Sequence, residues 1–399
     1  MAFKAKKNEY ICAPMLSRRI KDKLRALETP FYLYDIDLLR RTAESAAEGA
    51  RSRGYVLHYA IKANYDPRVL GIIRSCGFGI DCASANELRC ALEAGFDPGK
   101  TVYAGVGKKD SELRYAISQN IFSINCESVE ELYVLDSLAA EAGRKVNVAL
   151  RVNPDVDPKT NSCINTGQMD CKFGISYEEI LSKSSEILSL KNLNIRGVHI
   201  HIGSQIREMD VFESLCERAN VIVSSLLEKG FNFEFVDLGG GLGIDYDSPE
   251  EEPVPDFEAV YSTVDKHLSV GGREVHFEFG RAIVGQCAEL ITRVLYNKTT
   301  ASGLKYAIVD ASMTELIRPA LYGAHHSIEN LTSGAQTREK YTIGGTACES
   351  TDIFASGLEL PSTVRGDLLS IKSAGAYGQS MASRYNSHDL PRSEYSDEL

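Results

Sequence analysis

Hydrophobic residues along this chain fall into short β-favouring runs separated by longer amphipathic stretches. Val56-Leu57-His58-Tyr59-Ala60-Ile61-Lys62 is the first sharp case, too short for a helix and bounded by Gly54 and Pro67, and it reads as a buried strand. Similar runs follow near 78–82, 101–105, 121–125, 146–152, 195–202, 233–238 and 274–279, and an earlier strand-like run occupies 31–37. The intervals carry helical periodicity, and three open on Ser-x-x-Glu capping patterns, Ser84 to Glu87, Ser128 to Glu131 and Ser176 to Glu179. Strands alternating with helices in this number predict an α/β fold, a TIM-like (β/α)8 barrel over residues 35–284. A doubly wound open sheet is the alternative.

After Arg281 the rhythm breaks. Strand-like runs at Leu290–Tyr296, Lys305–Asp310, Lys340–Ile343 and Asp367–Ser373 lack regular helices between them, which predicts a mostly β second domain over 285–399, joined by residues 1–34. Within the barrel one interval is long: Asn153 to Lys172, rich in Asn, Asp, Thr and Cys, reads as a surface loop that could close over a site.

Composition narrows the function without naming it. A formal charge of -11 argues against a nucleic-acid partner, and no segment approaches the roughly 18 apolar residues of a membrane span. Met1 to Met15 carries lysines but no apolar core of a secretory signal. Ten cysteines spread over 399 residues suggest neither a disulfide framework nor a zinc site, so a reducing, cytoplasmic setting without a metal is expected. The sequons at Asn297 and Asn330 then lack a secretory context.

The C-terminal ends of barrel strands are where such folds place chemistry. Lys62, Asp81, Arg151, His201, Asp237, Glu278 and Arg281 all fall at or near those ends. Lys62 closing a buried strand would be poorly solvated, which favours the neutral amine that forms Schiff bases; a snorkelling or ion-paired lysine is the plain alternative. Gly239-Gly240-Gly241-Leu242-Gly243 is followed by a turn-rich loop rather than a helix, so it does not fit a dinucleotide fingerprint. Its backbone N–H groups could converge on a phosphate, in the loop after the seventh strand, or it could be a turn that binds nothing. A phosphate cradle opposite a lysine suggests pyridoxal 5'-phosphate, with Glu278 placed for the ring nitrogen and His201 for the ring face. A hydrogen-bonded core histidine remains the other reading of His201.

Together with Tyr59-Ala60-Ile61-Lys62-Ala63-Asn64, His201-Ile202-Gly203-Ser204-Gln205-Ile206 and Glu278-Phe279-Gly280-Arg281, the later segments Leu316 to Tyr322, Cys348-Glu349-Ser350-Thr351-Asp352 and Gly375-Ala376-Tyr377-Gly378 resemble the motifs of the diaminopimelate decarboxylases. These are pyridoxal-phosphate enzymes of the fold-type III, alanine-racemase-like class. The resemblance runs from about residue 30 to 387. It implies decarboxylation of meso-2,6-diaminopimelate to L-lysine and CO2, the last step of lysine biosynthesis, in a homodimer with shared sites. By the same resemblance, Lys62 would carry the cofactor, His201 stack on its ring and Glu278 meet its ring nitrogen. Asp81, Ser204, Gly239, Gly240, Gly241, Gly280, Arg281 and Tyr377 would complete the cofactor site. Arg281, Arg318, Tyr322, Glu349 and Tyr377 would bind substrate, and Cys348, lent by the partner subunit, would return the proton.

Three departures from the family pattern stand out: Phe279 replaces a usual proline, Gly345-Thr346-Ala347 replaces a common Gly-Pro-x before Cys348, and the tail after Ser387 lacks an arginine-rich continuation. A racemase of the same class, an ornithine or arginine decarboxylase and a non-enzymatic cofactor carrier are the competing readings. The Arg318 and Cys348 segments and the length of the second domain speak against them.

Overall fold

The computed structural model describes residues 18–154 and 171–399. The stretch Met1 to Met15 and most of the loop expected at 153–172 lie outside the described residues. Strand β1 (Phe31–Tyr34) is followed by β2 (Val56–Ala60), β3 (Gly79–Cys82), β4 (Thr101–Tyr103), β5 (Ser123–Cys126), β6 (Val146–Asn153), β7 (Ile175–Ser176), β8 (Leu193–His199), β9 (Phe235–Asp237) and β10 (Glu274–Phe279). All pairings from β2 to β10 are parallel, in the order β5-β4-β3-β2-β10-β9-β8-β6, and β5 closes onto β6. Setting aside the two-residue β7, which pairs in parallel with the end of β6, this is a closed barrel of eight parallel strands, and the open-sheet alternative is excluded.

Two compact units make up the chain. One takes Asp37–Ile244 and Val254–Gly285; the other takes 18–36, 245–253 and 286–399. In the barrel unit the three serine caps form as read: Ser84, Ser128 and Ser176 accept from the backbone N–H of Glu87, Glu131 and Glu179 at 3.1, 3.1 and 3.2 Å. The returning glutamates differ from a strict capping box, since Glu87 and Glu131 reach the N–H of Ala83 and Glu127, one residue before the cap.

The second unit is built on β11 (Ala288–Thr299), whose first half lies between antiparallel β1 and β16 (Leu368–Ile371) and whose second half pairs with β12 (Lys305–Val309). A register shift between Val294 and Tyr296 lets one strand serve both. Strands β13 (Ile328–Asn330), β14 (Arg338–Gly344), β15 (Ile353–Pro361) and β17 (Arg392–Tyr395) complete the sheet, β17 adding in parallel to β1. Leu24, Phe31, Leu33, Ile291, Leu331 and Leu368 form one of its apolar clusters.

The barrel interior is polar in layers. At its lower end His58 Nδ1 lies 3.2 Å from the Lys100 carbonyl, and His58 Nε2 lies 3.0 Å from His276 Nδ1. A carbonyl only accepts, so His58 donates from Nδ1 and its Nε2 accepts from His276. Stacked against Phe122 and Phe235, at centroid distances of 5.4 and 4.7 Å, His276 is buried as fully as His58. Burial, the main cause in each case, pushes the pKa of His58 from 6.5 down to about 4 and that of His276 to about 2.

This fixes a sign. As pH falls below about 6.5 the unfolded chain takes up these protons and the folded chain does not, so stability is complete above that pH and is lost toward pH 4. His58 alone accounts for on the order of 3 kcal/mol over the window. Urea unfolding is therefore expected to show a lower midpoint at pH 5 than at pH 7, and His58→Gln is expected to narrow that gap. An equal gap in the variant would assign the pH dependence to other groups.

Candidate active site

At the mouth of the barrel, β2 stops at Ala60 and Lys62 sits in the following 3-10 turn, Ile61–Ala63. Of the two readings of Lys62, the snorkelling, ion-paired lysine is the one that forms: its side chain is 43% exposed, because the turn lifts it off the strand and over the rim. Its Nζ donates to Asp81 Oδ2 at 2.9 Å, so an ion pair rather than desolvation governs it here. Asp81, on β3, is fully buried, and its Oδ1 has no hydrogen-bond partner among the described residues. Burial, then the nearby Glu278 charge, pushes the Asp81 carboxyl up, with Lys62 opposing both.

Glu278, on β10, is the buried carboxylate around which the upper layer is arranged. His199 Nε2, at the end of β8, lies 3.1 Å from Glu278 Oε2, and Asn125 Nδ2 on β5 donates to Oε1 at 3.4 Å. Burial works to raise the Glu278 carboxyl. His199 first, then the Lys62 ammonium, outweigh it and hold Glu278 well below the usual carboxylate range. Asp237, on β9, goes the other way: burial and the Glu278 charge push it well up, although the Gly239 N–H donates to its Oδ1 at 2.8 Å. The two neighbouring carboxyls are thus pushed in opposite directions. Neither His199 nor Asn125 stands out in the sequence beforehand. The available signal is the spacing of two between His199 and His201 at the end of a strand.

The glycine run follows β9 directly. A Cβ on Gly240 would fall 2.2 Å from the Glu278 carbonyl oxygen, and one on Gly239, whose φ is +66°, would fall 2.5 Å from His201 Nδ1. The backbone therefore passes closer to its neighbours than any side chain allows. Parallel to it runs the segment after β8. Ile206 N–H donates to Gly241 O and Gly243 N–H to Ile206 O, both at 2.9 Å, and Gln205 exchanges hydrogen bonds with the backbone of Ile244. The two loops form a zipped platform carrying His201 and Ser204. Arg281, buried and directly beyond Gly280, donates through Nε and Nη2 to Ser204 Oγ at 3.2 and 3.1 Å. His201 is half-buried; its pKa is pushed well down by burial, with Arg151 and Lys62 adding, so its imidazole is neutral. Arg151 itself is held by Glu127 at 2.6 Å and lies over the Phe173 ring.

Within one unit, then, Lys62, Asp81, His201, Ser204, Gly239 to Gly241, Glu278, Gly280 and Arg281 surround the barrel mouth. The second unit carries the others. Arg318 opens the short helix Arg318–Tyr322, and its Nη1 lies 2.8 Å from His326 Nε2. Cys348 is exposed, and its N–H donates to Asn386 Oδ1 at 3.1 Å. Glu349 accepts a short hydrogen bond from the Tyr385 hydroxyl. In place of a stiffening proline, Asp352 ties the segment before Cys348, accepting from Met313 and Ala347 N–H groups, both at 2.7 Å. Tyr377 has a left-handed backbone, φ 56°, unusual for a non-glycine residue.

A family profile described as "Pyridoxal-dependent decarboxylase, pyridoxal binding domain" matches residues 37–285. A diaminopimelate decarboxylase of Bacteroides thetaiotaomicron is 46% identical over 380 residues, which cover 95% of this chain and 98% of that one. This chain belongs to the diaminopimelate decarboxylase family. A crystal structure of diaminopimelate decarboxylase from Helicobacter pylori complexed with L-lysine superposes with a TM-score of 0.89 at 33% identity, covering 95% of this chain and 94% of that one. The arginine decarboxylase of Paramecium bursaria Chlorella virus matches at a TM-score of 0.81 and 19% identity, which shows the shared fold alone.

The decarboxylase family uses pyridoxal 5'-phosphate, and the barrel mouth fits that group on its own chemistry. It offers an accessible primary amine, a carboxylate held ionised, a neutral imidazole, and a glycine platform with a buried arginine for an anion. Gly240→Ala is expected to displace the Glu278 carbonyl and weaken cofactor affinity by at least about tenfold, since no side chain can relieve a contact with backbone. Titrating cofactor into the apoprotein by absorbance checks this; unaltered affinity would mean that the platform is not the anion site.

Proposed function

We infer that this enzyme removes one carboxylate of meso-2,6-diaminopimelate as CO2 and leaves L-lysine. The observation that carries the reading is the 46% identity over 95% of the chain to a protein named diaminopimelate decarboxylase, an extent that takes in both compact units. Roles follow by matching motif. Lys62, with Asp81 beside it, holds the cofactor's aldehyde end; Ser204, Gly239 to Gly241, Gly280, Arg281 and Tyr377 hold its phosphate; His201 covers the ring and Glu278 meets the ring nitrogen. Bound there, the cofactor supplies an electron sink for the charge left when the carboxylate departs. Glu278 serves by staying negative, because an ionised carboxylate keeps a ring-nitrogen proton in place.

Arg281, Arg318 and Tyr322 bind the distal carboxylate, with Glu349 and Tyr377 at the distal amino-acid head. Planar guanidinium groups suit a carboxylate and leave ornithine and lysine, which lack a distal one, poorly matched. The Cys348 thiol, exposed at the end of a segment fixed by Asp352, returns a proton to the carbon that has lost CO2. In this reading Cys348 and Glu349 serve the partner subunit of a homodimer. Among the described residues no helix is long and apolar enough to cross a membrane; a cytoplasmic setting is part of this reading and rests on cysteines scattered through the chain without a disulfide-framework spacing.

Purified enzyme loaded with cofactor is expected to release CO2 and lysine from meso-diaminopimelate, with preference over ornithine or lysine on the order of 10⁴-fold. Lys62→Ala is expected to lose both turnover and borohydride trapping of the cofactor on the protein. Comparable turnover of ornithine would sink the substrate assignment and spare the cofactor.

The shared-site arrangement has its own test. Lys62→Ala and Cys348→Ala, each inactive, are expected to recover part of the activity when mixed and allowed to exchange subunits, since one site of the heterodimer keeps both residues. No recovery after demonstrated exchange would place both residues in one chain's site.

A further inference from the structure

We propose that His326 is a positioning residue for substrate recognition, one that sets the orientation of the Arg318 guanidinium by accepting one of its hydrogen bonds. The proposal rests on the reading of Arg318 as a ligand of the distal carboxylate. Its basis is a chain of contacts inside the second unit. His326 is 1% exposed, and its Nδ1 lies 2.8 Å from the Lys372 carbonyl oxygen. That oxygen only accepts, so Nδ1 carries the hydrogen and Nε2 presents a lone pair. Arg318 has donors and no acceptor, and its Nη1 lies 2.8 Å from that lone pair. The backbone thus selects the one tautomer that can receive the arginine.

A second contact fixes the plane. The Arg318 guanidinium lies over the Tyr246 ring, 4.7 Å from its centroid, and the Tyr246 ring meets His326 edge-on at 5.1 Å and 80°. Tyr246 is itself anchored, its carbonyl accepting from the Ser327 N–H at 3.2 Å. One edge and one face of the guanidinium are therefore taken by side chains tied to the backbone. A bidentate grip on a carboxylate depends on where the remaining N–H groups point. A tilt that moves them by about 1 Å can cost up to about a hundredfold. In this arrangement the histidine never touches substrate and acts only through the arginine.

The test is steady-state kinetics of the cofactor-loaded enzyme with meso-diaminopimelate, alongside its visible absorbance and melting temperature. His326→Leu removes the acceptor and is expected to raise KM at least about tenfold while kcat stays within about threefold and absorbance is unaltered. His326→Gln can present an oxygen where Nε2 stood and is expected to recover most of the loss. If the leucine variant does not accumulate as folded holoenzyme, His326→Asn serves in its place, keeping a donor toward Lys372 but no acceptor for Arg318. Unchanged KM in the leucine or asparagine variant, or a glutamine variant no better than leucine, overturns the proposal. Arg318→Lys separates the two levels: a raised KM there with no effect at His326 overturns only the positioning role. Unchanged KM in Arg318→Lys removes the reading of the arginine and the proposal with it.

Discussion

Glu278 is 6% exposed inside a parallel barrel and still ionised, and removing such a charge from water costs several kcal/mol unless neighbours replace the lost hydration. The barrel supplies His199 and Asn125 directly, with the Lys62 ammonium adding to the field. A second negative charge without its own cation is disfavoured beside it, and Asp237 is correspondingly pushed toward its neutral form, whereas Asp81 has Lys62 to oppose the shift. The polar interior follows from this one requirement. Asp81, Asn125, His199, Asp237 and Glu278 come from five different strands, so the charge is stabilised by the closure of the barrel rather than by any local segment.

That dependence explains what could be read from the sequence. The strand and helix rhythm of the barrel was legible because outward-facing positions such as Leu57, Tyr59 and Val236 are apolar and buried at the spacing of a strand. Candidate residues at strand ends were legible because parallel barrels put chemistry there. Lys62 reads at the right end, and of its two readings the rim lysine paired with a carboxylate is the one that forms, because one turn of 3-10 helix beyond Ala60 carries it from the strand into the mouth. No hydrophobic pattern marks so short a turn. His199 was passed over for a different reason: its importance is a distance to Glu278, which lies 79 positions away and reaches it only through the sheet order β8-β9-β10.

The second unit was legible in class and incomplete in detail. Strands β11, β12, β14 and β16 carry apolar runs, whereas β13 has three residues, β15 contains Gly357 and ends on Pro361, and β17 holds Arg392 and Glu394. Such strands are defined by the partner they pair with, not by their own propensity. The segment before Cys348 makes the same point. The absence of a proline predicts a looser approach, yet buried Asp352, a residue of the same motif, accepts from the Ala347 N–H within the segment and from the Met313 N–H beyond it, and so ties it.

Backbone strain gives an independent line to the same residues. Six non-glycine residues among those described have positive φ, and one of them, Asn120, ends a helix, where the left-handed conformation is common. The others lie beside the motif segments. Gln205 follows Ser204 and clamps Ile244; Ser373 follows Lys372, whose carbonyl fixes the His326 tautomer; Tyr377 lies in the Gly375–Gly378 segment; Asn386, next to Ser387, accepts from the Cys348 N–H. Each such residue costs on the order of 1–3 kcal/mol and persists only where its surroundings impose it. At Gln205, Ser373 and Asn386 the surroundings include hydrogen bonds that hold a proposed site residue or its support in place. Apart from Asn120, the positive-φ non-glycine residues among those described therefore fall where orientation matters, in both units.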